Sequence, residues 1–243
     1  PHSPSCIPVS SPRQSTPDRT HTVEHTPLAM PRHDLLDKAV LGERLTPAEG
    51  LELLETHDLA LLGQAADRVT RRLHPEPFRT YNIDRNINYS NACTAVCDFC
   101  AFYRPADHPE MYVLPPEQLH AKIQETLDLG GDQILMQGGH HPRLKTEWWC
   151  ELIADLKQRF PQINSHALSA PELEHLSKLD KRPVEEVIRD LAEAGMGSVP
   201  GAGAEILVER VRELIARKKT TTDTWLDIHR KIHEAGLRSS GTM

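Results

Sequence analysis

Aromatic residues are scarce. Only 5% of the 243 residues are Phe, Trp or Tyr, so the core must be aliphatic. Long apolar runs are missing too. None approaches the roughly 20 residues that cross a bilayer, so no membrane span is expected. Positive charge is in deficit: 28 Lys and Arg against 35 Asp and Glu leave a net charge of −7. That balance argues against a nucleic-acid-binding face, which needs a basic patch. No second C-x2-C pair follows the first cysteines, and no secretory signal peptide is recognisable before them. The length suits one large domain or two small ones.

Against these absences stand five cysteines, three of them in the run Cys93-Thr-Ala-Val-Cys97-Asp-Phe-Cys100. Thiolates at this spacing on one loop can hold three irons of a [4Fe–4S] cubane, which normally takes four cysteines. One iron is then open to a ligand that is not protein. A structural zinc site wants four closed ligands, and the nearest histidine, His108, has no ligand spacing. Three cysteines within eight residues are too dense for inert core thiols. A disulfide pair with a spare belongs to secreted mini-proteins. The cysteine usage therefore points to a reducing, cytoplasmic setting. Cys150, on a helical pattern after Trp148 and Trp149, is read as a packed small residue rather than a fourth ligand. Cys6 lies in the N-terminal tail.

Residues 1–30 are rich in Pro, Ser, Thr and His without an apolar period, and are expected to be disordered. Residues 31–79 read as a helical extension that covers the floor of a larger domain. Thr46-Pro-Ala-Glu49 is a capping box with proline at the first helical position, after which Leu51, Leu53 and Leu54 are expected to face inward. From residue 80 to 243 short strands alternate with amphipathic helices. Strands are expected over 81–89, 133–137, 163–169 and 197–204, and a fifth begins at Leu237. Helices are expected from Pro115, around Trp148–Leu152–Leu156–Phe160, over 183–194, 206–215 and 225–235. Such alternation builds parallel βαβ units. Right-handed crossovers curl these into a (βα) barrel of the TIM type. Five strands do not close eight, and about three βα units of a full barrel are expected to lie beyond this chain.

Functional groups of such barrels gather where strands end. The cysteine loop follows the first strand, with Ser90 and Asn91 beside it. Phe99, between the second and third cysteines, can shield a cluster or lie against an adenine. Gln137-Gly138-Gly139 ends the second strand, where glycines let backbone approach a ligand. His140 and His141 follow and, with His166 on the third strand, are candidates for taking a proton. Ser169 at that strand's end is a further candidate cofactor contact. Gly201-Ala-Gly-Ala-Glu205 ends the fourth strand. A helix starting at Glu205 would offer free N–H groups to an anion, and Glu205 itself can accept from ribose hydroxyls or an ammonium. Arg210 and Arg212 read as solvated helix residues. His229 and His233 share a helix face but lack a third metal ligand.

The runs from Asp84 to Cys93, Cys100-Ala-Phe-Tyr-Arg104, Gln137-Gly-Gly-His-His-Pro142, His166-Ala-Leu-Ser169 and Gly201-Ala-Gly-Ala-Glu-Ile-Leu207 resemble radical SAM enzymes of the menaquinone (futalosine) branch. The likeness is greatest to the cyclases that act on dehypoxanthine futalosine. Aminodeoxyfutalosine synthases and deazaflavin (FO) synthases share the cysteine motif. The resemblance implies a truncated radical SAM barrel carrying a [4Fe–4S] cluster on Cys93, Cys97 and Cys100, with S-adenosylmethionine (SAM) at the open iron. It implies that Gln137, Gly138 and Gly139 receive the amino group of SAM. It further implies a flavodoxin or ferredoxin as electron donor and dehypoxanthine futalosine as small-molecule substrate. A 5′-deoxyadenosyl radical takes hydrogen from its ribose, and ring closure onto the benzoate follows. Because the barrel is cut short, an inactive cluster-binding fragment is the alternative of another class. One departure stands out: the branch commonly has three glycines where this chain has Gly201-Ala202-Gly203.

Overall fold

The structure, a computed structural model, describes residues 33–56 and 58–242. The expected disordered tail and Cys6 lie outside the described residues. The chain divides between Arg79 and Thr80 into two compact units.

The first unit holds α1 (His33–Leu41), α2 (Pro47–Glu55) and α3 (Leu59–Leu73). Thr46 and Glu49 form the reciprocal capping box, with Glu49 N–H donating to Thr46 Oγ1 at 3.3 Å and Thr46 N–H to Glu49 Oε2 at 2.7 Å. Asp58 caps α3 by accepting from Leu61 N–H at 3.0 Å. Leu35, Leu36 and Ala65 are the buried apolar residues of this unit. The expectation for α2 fails here. Leu51 and Leu54 are 55% and 84% exposed, and α2 buries no residue. What fastens α2 is charge: Lys38 of α1 reaches Glu49 at 2.8 Å.

The second unit alternates β1 (Asp84–Ile87), α4 (Pro116–Asp128), β2 (Gln133–Met136), α5 (Thr146–Arg159), β3 (Asn164–Ala167), α6 (Ala170–Asp180), α7 (Val184–Glu193), β4 (Ser198–Val199), α8 (Glu209–Ile215), α9 (Thr222–Glu234) and β5 (Arg238–Ser239). The five strands pair in parallel, in the order β1-β2-β3-β4-β5. This is the expected α/β barrel-type sheet. The core lies between the sheet and its helices. It joins Ile87, Ile134, Met136, Ala167 and Val199 of the strands to Leu119, Ile123, Ile153, Leu173, Ile188 and Ile228 of the helices. Among the described residues no helix is long and apolar enough to cross a membrane.

Three differences from the sequence reading bear on function. α6 was not anticipated, and the β3–β4 crossover carries two helices. The buried face of α5 is Trp149, Ile153 and Leu156, with Trp148 and Leu152 only half-buried, a rotation of about one residue. α8 starts at Glu209 rather than at Glu205 or Ile206. Glu205 adopts φ +51°, left-handed backbone that no helix start uses.

Strand alternation settles which face His166 occupies. Ser165 and Ala167 are buried, on the face that carries the core, whereas His166 lies on the other face, beside Leu135 of β2 and Ser198 of β4. That face carries polar side chains from three strands. Asn164 Nδ2 donates to Gln133 Oε1 at 2.7 Å and to Ser198 Oγ at 3.1 Å. His166 Nδ1 meets Ser198 Oγ at 2.7 Å. Closed TIM barrels fill this position with branched apolar side chains. Here a hydrogen-bonded polar strip crosses the sheet instead.

Candidate active site

One cavity is lined by all three motif thiols, Cys93, Cys97 and Cys100, together with Phe99, Gln137, Gly138, Gly139, His140, Ser169 and Lys219. The sequence therefore brings together residues from the ends of β1, β2 and β3 and from the segment between α8 and α9. A larger hollow of about 470 Å³ lies against α4 and α5, but Trp148, Leu119 and Leu152 line it and no thiol does.

The cysteine loop is held by backbone bonds to three neighbours. Cys93 N–H donates to Arg104 O at 3.1 Å, Thr94 N–H to His140 O at 3.0 Å, and Asp98 N–H to Ile215 O at 2.9 Å. Arg104 closes the far side. Its guanidinium donates to the carbonyls of Ala101 and Tyr103 and pairs with Glu110 at 2.8 Å. Ser90 and Asn91 do not line this cavity. Ser90 Oγ donates to Tyr112 O at 2.7 Å and Asn91 Nδ2 to Glu110 O at 3.0 Å, fastening the 110–112 segment.

The two glycines after β2 are required sterically. A Cβ on Gly138 would lie 2.4 Å from the Tyr89 ring, and one on Gly139 would lie 2.9 Å from Cys93 Sγ, at a φ of +90°. Bare backbone thus lets the second loop press against the first, and His140 N–H donates to Cys93 Sγ at 3.3 Å. The departure at Gly201-Ala202-Gly203 has the same logic. A Cβ on Gly201 would meet Ser240 O at 2.0 Å, and one on Gly203 would meet Pro171 Cγ at 2.4 Å. Ala202 occupies the middle position, where its methyl is accommodated at the cavity wall.

Sequence reasoning missed Glu172. This residue of α6 is 4% exposed and lies under the glycine pair. It accepts from Gly138 N–H at 3.2 Å, Gly139 N–H at 3.0 Å and Ser169 Oγ at 2.7 Å. Burial raises its pKa, while the bonds to Ser169 and the glycines pull it back. The signal was present: Ser169-Ala-Pro-Glu172 has capping-box spacing, as Thr46–Glu49 does. Arg212 was misjudged. It is 3% exposed, and its guanidinium donates to Gly203 O at 2.9 Å and to the carbonyls of Ala204, Ile206 and Thr220. A buried cation that satisfies carbonyls otherwise left open pins the loop after β4.

The three histidine candidates part company. His140 lines the cavity and stacks on His175 with ring centroids 4.8 Å apart; burial pushes its pKa down to about 3. His141 does not line the cavity. Its Nδ1 accepts from Arg143 N–H at 3.2 Å and Leu144 N–H at 3.1 Å, which shapes the turn before α5. His166 lies on the polar strip. Glu205 is paired with Lys219 Nζ at 2.9 Å and is not among the cavity-lining residues. His229 and His233 both hydrogen-bond Ser239 Oγ, at 3.0 and 2.8 Å, clamping α9 to β5. Cys150 packs against the main core, away from the motif thiols.

Burial raises the pKa values of Cys93 and Cys97; His140 N–H partly offsets this at Cys93 and the Lys219 charge at Cys97. The three motif cysteines carry no disulfide and share an apolar nest of Ala95, Ala216 and Ile215. Among the described residues no three His, Cys, Asp or Glu side chains gather as around a single ion. A cubane asks something different of them, because each thiolate takes its own iron. Three free thiols on one cavity wall, with no fourth cysteine among the lining residues, match a cluster with one corner left to a ligand.

The radical SAM superfamily pattern matches residues 87–243. The chain belongs to this superfamily. Its members use a [4Fe–4S] cluster and SAM, so the chain carries an enzyme domain with those cofactors. It is 42% identical over 209 residues to a cyclic dehypoxanthine futalosine synthase of Halalkalibacterium halodurans, covering 86% of this chain and 56% of that one. The enzyme of the same name from Streptomyces coelicolor is 44% identical over 212 residues, covering 86% and 53%. An aminodeoxyfutalosine synthase of Thermus thermophilus is 36% identical over 210 residues, covering 86% and 55%. The chain thus spans little more than half the length of these relatives. Among solved structures, the [FeFe]-hydrogenase maturase HydG aligns with a TM-score of 0.62 at 16% identity, covering 84% of this chain and 44% of that one. Methylornithine synthase PylB aligns with a TM-score of 0.60 at 17% identity, covering 84% and 57%. Both support the fold alone.

Proposed function

We propose that this chain is the cofactor-binding part of a radical SAM cyclase that converts dehypoxanthine futalosine to its cyclic form in menaquinone biosynthesis. The observation that carries the reading is 42–44% identity to two enzymes of that name across 86% of the chain. The thiol cavity and the polar strip beside His166 agree with it. The aminodeoxyfutalosine synthase, at 36% identity, is the second reading.

Cys93, Cys97 and Cys100 each take one iron. The glycine loop, held by Glu172, and Ser169 line the same cavity as the thiols, and Phe99 would shield a cluster held there. A reduced cluster held there would supply, with SAM bound, the one electron that splits SAM into methionine and the 5′-deoxyadenosyl radical that takes a hydrogen atom from the substrate. The chain's own residues place the substrate and exclude water. The strip of Asn164, His166 and Ser198 suits hydroxyl groups of a ribosyl substrate. Between the candidate proton acceptors, exposure favours His166: it is half-exposed on this strip, whereas His140, on the cavity wall, is 7% exposed. A flavodoxin or ferredoxin is the electron donor in this reading.

The test is anaerobic turnover of the full-length enzyme, reconstituted with iron and sulfide, with each futalosine-pathway substrate analysed by mass spectrometry. The cyclic product together with 5′-deoxyadenosine is expected. Product only from the aminodeoxyfutalosine precursor selects the second reading. No 5′-deoxyadenosine from SAM and dithionite refutes both.

A further inference from the structure

The chain is acidic overall, at −7, yet its longest run of basic residues, Arg217-Lys218-Lys219, lies between α8 and α9. The fold sets this run against the cysteine loop. Asp98 N–H donates to Ile215 O at 2.9 Å, and Ala216 is buried against Ala95 and Cys97. Lys219 Nζ lies 5.4 Å from the Phe99 ring centroid and is paired with Glu205 at 2.9 Å. Arg217 and Lys218 are exposed, and among the described residues neither forms an ion pair or a side-chain hydrogen bond. Asp98 is the one exposed acidic residue between the first motif cysteine and Arg104, and these two cations outnumber it.

The loop beside them is apolar where it meets solvent. Val96, Phe99 and Phe102 are 41%, 53% and 44% exposed. Two of the chain's four phenylalanines thus stand in solvent on one loop. Each of the three residues is one or two positions from a motif cysteine, and Cys93 and Cys100 are only half-buried. The thiols therefore lie directly beneath an apolar patch with a basic border.

Such a patch suits a transient redox partner. An apolar centre excludes water and lets two proteins approach closely, while border charges steer the encounter and select the partner's sign. In the radical SAM reading, every SAM that is split needs one electron from outside the protein. We propose that this patch is the docking surface for a small acidic electron-carrier protein, with Val96, Phe99 and Phe102 at its centre and Arg217 and Lys218 on its border. One electron passes from the reduced carrier to the oxidised cluster, and no bond is made or broken in that step. The inference rests on the radical SAM reading and adds to it the place where the electron enters.

The experiment uses the full-length, cluster-loaded enzyme under anaerobic conditions. Formation of 5′-deoxyadenosine is followed with two reductants, dithionite and a reduced flavodoxin, the second at increasing concentration. Arg217→Glu combined with Lys218→Glu is expected to raise the flavodoxin concentration for half-maximal rate by roughly 10-fold or more. The dithionite-driven rate, the iron content and the EPR response to SAM should stay as in the parent. Added salt should slow the flavodoxin-driven reaction of the parent and leave that of the double variant nearly unchanged. Arg217→Gln combined with Lys218→Gln, which removes charge without reversing it, should show the same pattern at smaller size. A double variant that uses flavodoxin as well as the parent does overturns the proposal. So does an equal loss with both reductants, which would mark the two residues as supports of the fold. A parent that dithionite drives, but that neither a flavodoxin nor an acidic ferredoxin drives, overturns it as well and leaves the radical SAM reading intact. A parent that splits SAM with no reductant overturns both.

Discussion

Glu172 gives the sharpest test of how the site is built, because one substitution keeps its hydrogen bonds and another removes them. Both glycine N–H groups point at the same carboxylate oxygen, Oε1, and Ser169 Oγ points at Oε2. In Glu172→Leu three donors lose their acceptor, and two of those bonds, from Gly138 N–H and Ser169 Oγ, are fully buried. An unsatisfied buried donor costs about 1–3 kcal/mol, so the two fully buried ones set an expected loss of about 2–6 kcal/mol. That is a large share of the roughly 5–15 kcal/mol that keeps a domain folded. In Glu172→Gln the amide oxygen still accepts from both glycines, and its NH₂ turns to Ser169 Oγ. The expected loss there is about 1 kcal/mol.

Charge adds a second signature. Burial raises the Glu172 pKa from the value of 4.5 that it has in the open chain. Between 4.5 and the raised value the folded state binds more protons than the unfolded one, so stability falls as pH rises through that window. Glu172→Gln lacks the titration and should show a flatter profile there. Urea unfolding of parent and variants, prepared identically, reads both effects as shifts in midpoint at constant m. A Leu variant within about 1 kcal/mol of the parent refutes the reasoning. So does a Gln variant as damaged as the Leu one.

Arg212→Met strips the carbonyls of Gly203, Ala204, Ile206 and Thr220 of a buried donor and is expected to cost about 3–5 kcal/mol. Faster proteolysis at residues 201–208 should accompany that loss in denaturant. Gly139→Ala puts a methyl 2.9 Å from Cys93 Sγ at a positive φ, and an iron and sulfide count should show a clear fall in cluster content after reconstitution. His229 has its pKa pushed down to about 4 by burial and then by His233. The unfolded chain therefore binds the extra proton between about pH 6.5 and 4, and stability should drop as pH falls through that window. His229→Phe should remove this dependence, and an unchanged pH profile would refute it.

What the sequence made legible was local. The cysteine spacing, the glycine pair and the capping box at Thr46 each lie within a few residues, and each kept its expected position. Strand and helix order in the second unit followed from apolar periodicity. α6 escaped because much of its circumference is buried: Ala170, Pro171, Glu172, Leu173 and Leu176 leave no single apolar stripe to detect. Glu172 escaped with it, since a glutamate in a first helical turn reads as a partner of the helix dipole. Only the packing of α6 beneath the glycine loop turns that carboxylate into a structural acceptor. Arg212 was misread for the same reason. Its four acceptors include backbone carbonyls on both sides of α8, which no helical period reports.

These two residues share a design principle that motif spacing does not contain. Each site loop is short of regular hydrogen bonding where it approaches the cavity, and a buried charged side chain from the neighbouring helix supplies it. Glu172 accepts from the loop after β2, and Arg212 donates to the loop after β4. The signs are opposite because the first loop turns N–H groups inward and the second turns carbonyls. The cysteine loop has no such helix-borne partner; it draws its bonds from the backbone at Arg104, His140 and Ile215 and from the Arg104 guanidinium. Backbone bonds to three segments therefore shape that loop.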